Sequence, residues 1–264
     1  MRWKLLTFTC LLAAMISSSA IQTSHAKVFD NTKTENSNSK LQNTYRSIID
    51  NHLHKNFSIM RTVRILINNY PEHATYIVNA AFDARGEARV TAIVVAAIQA
   101  EPAVTYNVVD VALSRYPNLA DTIVKAAIQT EPAYIDDIIT IALQHQPKRA
   151  DSIIRQAVAS HPDFSESVVR TAANEAPNFI LSSIIKSIKA LPDTAKSLIA
   201  VLKNFFTSPE TGSDAYNITK ADWQLLTLEA KQSGVSRSEL KWLVEEGYLD
   251  QKTFAKIFRN ESTQ

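Results

Sequence analysis

An all-α solenoid of short antiparallel helices, closed by a small C-terminal helical module, is the fold this sequence predicts, and three observations carry the prediction. Pro102, Pro117, Pro132, Pro147, Pro162, Pro177 and Pro192 stand fifteen residues apart without a slip. A residue that cannot continue a helix, recurring at about four helical turns, divides the chain into equal short helices. Counted from each proline, position seven is always Val or Ile, as in Val109, Ile139 and Ile199. Position six runs Val108, Ile123, Ile138, Ile153, Val168, Ser183, Leu198, and position ten runs Ala112, Ala127, Ala142, Ala157, Ala172, Ser187, Leu202. With positions three and eleven these make one wide apolar stripe on a 3.6-residue period, so each repeat is one helix of about eleven or twelve residues. Finally, Ala96-Ala97-Ile98-Gln99-Ala100-Glu101-Pro102-Ala103 recurs thirty residues later as Ala126 to Ala133 with one change. The unit is therefore a helix pair, and turns this short force consecutive helices antiparallel, in two stacked layers.

In chain order, the first segment is a secretory signal peptide over residues 1–26. Arg2 and Lys4 precede an uncharged run from Leu5 to Ile16, too short to span a bilayer, and Ser24 and Ala26 fit the small subsites before a cleavage after Ala26. A cut after Ala20 is the alternative. Cys10, the only cysteine, leaves with that peptide, so packed apolar surface rather than disulfides must stabilise the mature chain. Residues 27–41, rich in Asn, Ser and Thr without apolar periodicity, read as a flexible polar leader.

The array is expected over 42–206. The stripe extends backwards through Ile93-Val94 in a repeat beginning at Glu87, Ile77-Val78 in one beginning at Pro71, then Thr62-Val63 and more loosely Ile48-Ile49, giving ten or eleven helices. One extra residue is needed near Gly86. Asn118 with Asp121 and Asp163 with Glu166 have the spacing of N-cap residues and their partners, which sets proline just outside each helix. The architecture resembles α-solenoids in kind, without the Trp, Leu-Gly and Tyr marks of tetratricopeptide repeats or the Thr-Pro-Leu-His of ankyrins.

Residues 207–217 form a turn-rich linker, and 218–264 a module of three helices. Thr219 caps the first and Gly234 ends it; Ser236 with Glu239 is a capping box for the second, which Gly247 ends; Asp250 caps the third. Core candidates are Trp223, Leu226, Leu240, Leu243, Leu249, Phe254, Ile257 and Phe258. The stretch from Leu243 to Phe258 is similar to short C-terminal oligomerisation modules of bacterial proteins and to the end of a winged-helix reader. Seven basic and seven acidic side chains from 215 to 264 weigh against DNA.

Chemistry is absent where it would be easiest to see. Gly86, Gly212, Gly234 and Gly247 are the only glycines, so no phosphate-cradling loop or dinucleotide fingerprint can be assembled, and no nucleophile elbow or paired-histidine zinc helix occurs. His52 and His54, two apart on a helix, point away from each other, and His145 and His161 fall in turns at opposite ends of the array, where both read as exposed. No cofactor and no metal is expected. Without the signal, 26 basic side chains balance 26 acidic ones, which disfavours nucleic acid.

Asp121, Asp136, Asp151 and Glu166 share position four; Lys125, Arg155 and Arg170 lie four residues after the first, third and fourth, as helical ion pairs do. Asp136, with Asp137 beside it, has no such base. Charge varies along the chain: Glu101 to Asp137 holds six acidic residues against two basic, between more basic ends. Tyr76, Tyr106 and Tyr134 fall near the front halves of alternate helices, where one layer would present them together, or where they pack between repeats. Candidate binding residues are therefore Tyr76, Tyr106, Asp110, Tyr134, Asp136 and Asp137. The expectation is an exported, periplasmic or secreted, non-enzymatic scaffold that binds protein or peptide, or itself through the C-terminal module. A structural envelope protein, a secreted effector and an enzyme with an unrecognised site are the alternatives.

Overall fold

The computed structural model describes residues 31–208, 216 and 218–259. The signal peptide, residues 27–30 of the leader, the rest of the linker and the last five residues lie outside the described residues. Eleven α-helices make the array: α1 (Asn31–His54), α2 (Ile59–Asn69), α3 (Ala74–Arg85), α4 (Val90–Ala100), α5 (Thr105–Arg115), α6 (Ala120–Thr130), α7 (Ile135–His145), α8 (Ala150–Ser160), α9 (Ser165–Glu175), α10 (Ile180–Ala190) and α11 (Ala195–Thr207). The C-terminal module follows as α12 (Lys220–Gln232), α13 (Arg237–Leu240), α14 (Trp242–Glu245) and α15 (Gln251–Phe258). No strand occurs among the described residues.

From α4 to α10 every helix has eleven residues, and a four-residue turn completes the fifteen-residue period. The residue before each proline is forced out of the helical region, as at Tyr116 (φ −130°, ψ 61°), because the proline ring crowds its backbone. Its N–H still closes the helix, donating to the carbonyl of the position-ten residue: Tyr116 to Ala112, Glu131 to Ala127, Gln146 to Ala142. Proline then opens a single 3₁₀ turn, where its missing N–H costs nothing. Leu119 N–H donates to Tyr116 O, and Ala120 N–H to Pro117 O, which starts the next α-helix. Proline is thus the first residue of a helical lead-in rather than a residue outside the helix. Asn118 and Asp163 form no side-chain cap there, because the 3₁₀ turn already occupies the N–H groups a cap would take. Between α3 and α4, where no proline stands, Gly86 at φ +62° makes the reversal, and α3 has the extra residue.

The leader is helical from Asn31 rather than flexible throughout. Tyr45 and Ile49 anchor α1 in the core, Tyr76 donates to Asn38 Oδ1 at 2.8 Å, and Gln42 donates to Asp83 at 3.1 Å. Once one turn is anchored, each further residue adds a backbone bond at little nucleation cost, so the helix runs back through polar sequence.

Odd-numbered helices pack on odd and even on even, while consecutive helices pack across, giving two layers. Alternate helices within a layer are consequently parallel. Positions six, seven and ten face the opposite layer: Val108, Val109 and Ala112, or Ile138, Ile139 and Ala142, are fully buried. Each such Val or Ile contributes about 1.5–3 kcal/mol, and the alanines let neighbouring backbones close up.

Polar pairs stitch each layer at the thirty-residue step. In the odd layer, Arg115 reaches Asp83 (2.7 Å) and Asn79 (3.2 Å), His145 reaches Asp110 (2.7 Å), and Ser167 and Thr171 donate to Asp136. In the even layer, Asp121 accepts from Ser152 (2.9 Å) and Arg149 (3.3 Å), and Asp151 from Lys186 (3.3 Å). Of the three expected ion pairs within one helix only Glu166–Arg170 forms, at 2.7 Å. A parallel neighbour sets its position five or nine beside position four, and these partners, Ser152 and Lys186, replace Lys125 and Arg155.

The C-terminal module caps the array. α12 prolongs the even layer against α10, and α13 lies on α11. There α10 carries Leu181 and Ile185, buried at positions four and eight that are polar or charged in α7 to α9. Phe206, Tyr216, Trp223, Trp242 and Tyr248 form one aromatic joint, with ring centroids 4.8–6.0 Å apart along it, and Tyr248 donates to Phe206 O at 3.0 Å. Trp242 was absent from the expected core, whereas Ile257 is only half-buried. The caps at Thr219, Ser236 and Asp250 form as expected, with Gly234 and Gly247 at φ +83° and +79°, though the second helix is two short turns, α13 and α14.

Candidate interaction surface

Two layers of parallel helices leave two edges. One gathers the N-termini of the odd helices and the C-termini of the even ones, with turns 70–73, 101–104, 131–134, 161–164 and 191–194. The other gathers turns 55–58, 86–89, 116–119, 146–149 and 176–179. Tyr76, Tyr106, Tyr134, Asp136 and Asp137 all fall at the first edge, in the turn or first helical turn of α3, α5 and α7. Asp110 sits farther down α5, on the outer face of the odd layer.

Several of these groups are committed to holding the array together. Asp110 is bonded to His145, Asp136 accepts Ser167 at 2.6 Å and Thr171 at 3.0 Å, and Tyr76 is half-buried and donates to Asn38. Tyr134 is half-buried against the core. Tyr106 is 38% exposed, and Asp137 is exposed without a polar partner among the described residues. The six residues therefore divide into packing groups and two free ones.

The edge also holds an aromatic group that the fifteen-residue pattern conceals, because it comes from α1 and the first turn. Tyr45, Tyr70, His73 and Tyr76 lie with neighbouring centroids 5.7–6.5 Å apart. The Tyr45 hydroxyl and His73 Nδ1 are hydrogen-bonded at 2.6 Å. Burial raises the Tyr45 hydroxyl above its ordinary range, and the negative charge of Glu72 and the neighbouring Tyr70 act in the same direction. The phenol therefore stays protonated at neutral pH.

The histidines differ from expectation in detail. His145 is half-buried rather than an exposed turn residue, because the parallel α5 brings Asp110 within 2.7 Å of it. His161 is half-buried too, its ring edge-on to Phe164 at 6.1 Å. His52 packs on Phe57 at 5.3 Å with Nδ1 buried and unbonded, while His54 is exposed.

Among the described residues no three His, Cys, Asp or Glu side chains are placed to hold a metal ion. No helix among them is long and apolar enough to cross a membrane. The surface offers exposed carboxylates and aromatic faces at its turns. Comparison of the chain with protein-family models, with curated proteins and with solved structures finds no match.

Proposed function

We propose that the chain is an exported, non-enzymatic helical-repeat scaffold that binds protein or peptide segments along the odd-layer edge. The observation that supports it is the repetition itself. Five equivalent turns and five parallel helix starts offer one extended partner the same kind of contact again and again. The signal-like N-terminus and the cysteine-free remainder support a periplasmic or secreted setting.

The C-terminal module acts in this reading as the end cap of the even layer, since it covers Leu181 and Ile185. Affinity capture with residues 27–264 from the native envelope and medium, run beside a Tyr106→Ala/Asp137→Lys variant, tests the proposal. A partner held by the parent chain and lost by the variant is the expected result. A partner held equally by both moves the surface elsewhere, and capture of none removes the scaffold reading.

A further inference from the structure

Three of the five exposed large apolar side chains of the described residues, Tyr70 (48%), Tyr106 (38%) and Phe164 (37%), lie on the odd-layer edge, at the starts or lead-in turns of α3, α5 and α9. Between and beside them runs a regular charge. Each of the five turns of this edge carries one carboxylate, Glu72, Glu101, Glu131, Asp163 and Asp193, and none carries Lys or Arg. No Lys or Arg among the described residues pairs with any of the five. The opposite edge differs: its five turns contain Lys55, Arg89, Lys148 and Arg149 against Glu87 alone. The turns of one edge are therefore acidic and partly aromatic, with no Lys or Arg among them.

We infer that this edge docks an extended, Lys/Arg-bearing segment of a partner protein, with a basic residue at every third position. The inference rests on the scaffold reading above and names its ligand class. Helices in contact lie about 8–10 Å apart, so successive carboxylates repeat at about that interval. A polyproline II segment advances about 9 Å per three residues, with three residues per turn, and so brings every third side chain to the same face at the same interval. Each base meets one carboxylate, and Tyr70, Tyr106 and Phe164 offer ring faces and apolar surface to the bases and to the residues between them.

The test is fluorescence anisotropy with the mature chain, residues 27–264, and labelled fifteen-residue peptides at low and moderate salt. The probes are five Lys-Pro-Ala repeats, an isomer with all five lysines in one block, five Glu-Pro-Ala repeats and an uncharged Gln-Pro-Ala series. The periodic basic peptide is expected to bind about tenfold more tightly than the block isomer. A Glu101→Gln/Glu131→Gln/Asp163→Asn variant, checked for an unchanged helical spectrum, should weaken it by tenfold or more, and Tyr106→Ala/Phe164→Ala should do so with less salt dependence.

Equal binding of the basic peptide by parent and carboxamide variant overturns the inference. Preference for the acidic or uncharged probe overturns it while leaving the scaffold reading standing, and binding of none of the four counts against both. Sedimentation of the protein alone separates one more occupant. A concentration-dependent rise in mass that the carboxamide variant abolishes would assign the edge to a second copy and overturn the peptide inference.

Discussion

Replacing Ser187 by alanine is expected to make this protein more stable. Ser187 is fully buried in α10, and its Oγ has no hydrogen-bond partner. A buried hydroxyl without a partner forfeits its bonds to water, which costs about 1–3 kcal/mol. Five helices in succession answer the packing question at this position, since Ala112, Ala127, Ala142, Ala157 and Ala172 occupy it with no exposure. Alanine also has the higher helix propensity, by a few tenths of a kcal/mol. Together these give about 2 kcal/mol of stabilisation, or a rise in Tm of roughly 4–8 °C for a chain of this size. Thermal and urea unfolding of residues 27–264, followed by far-ultraviolet circular dichroism, measures it. Ser182→Ala is the control, because Ser182 is exposed and its hydroxyl donates to Phe179 O at 2.9 Å; it should change stability by less than about 0.5 kcal/mol. An unchanged or lowered Tm for Ser187→Ala would refute the reasoning, since it would mean that a water or carbonyl supplies the missing bond.

Three other outcomes follow from the same contacts. Ala142→Leu adds three carbons where two layers close on a fully buried alanine, and overpacking of this kind should cost about 1–3 kcal/mol in urea unfolding. Trp223→Ala empties the centre of the aromatic joint and should cost about 3–5 kcal/mol, with the loss of protection in amide exchange concentrated in α10 to α15. Acid should fray the caps of α13 and α15 selectively. The Glu239 carboxyl is held below its ordinary range mainly by its side-chain bond with Ser236, and that of Asp250 mainly by the Thr253 N–H. A carboxyl lowered in the folded state stabilises above its unfolded value and ceases to do so as pH falls through the folded one. Faster exchange of the Ser236 and Thr253 amides should therefore appear below the ordinary carboxylate range, and not between neutral and mildly alkaline pH; Asp250→Asn should remove the dependence at Thr253.

The apolar stripe and the prolines made the helices, their length and their antiparallel order legible, because those features depend on local chemistry that repeats. The proline turn itself was misjudged by one step. Asn118 and Asp163 look like caps on paper, but the 3₁₀ lead-in after each proline has already bonded the N–H groups concerned. The acidic row at position four was visible, and of its partners only Arg170 was. A sequence shows Lys125 and Arg155 four residues downstream, whereas Ser152 and Lys186 become neighbours only when helices two apart are set parallel. The same holds for the candidate surface. Tyr106 and Asp137 have no polar partner among the described residues, while Asp110 and Asp136 are held by His145, Ser167 and Thr171 from the next odd helix. His73 escaped notice because its partner Tyr45 comes from α1, outside the proline frame.

Those pairs within each layer bear on how a repetitive sequence selects one structure. The apolar stripe is nearly the same in every helix, so by itself it discriminates poorly against a neighbour displaced by one unit, and hydrophobic burial would be similar in either arrangement. The polar pairs are not interchangeable. Arg115 fits Asp83 and Asn79, His145 fits Asp110, and Ser167 with Thr171 fits Asp136; a slip by one helix pair would leave Arg115 or His145 facing the wrong partner. Each pair, partly exposed, adds little stability alone, and its value lies in making the correct stacking the one in which all are satisfied together. That use accounts for the polar residues of the helix faces. It leaves the turns of the odd-layer edge, whose carboxylates meet no Lys or Arg among the described residues, as the part of the repeat not used in stacking.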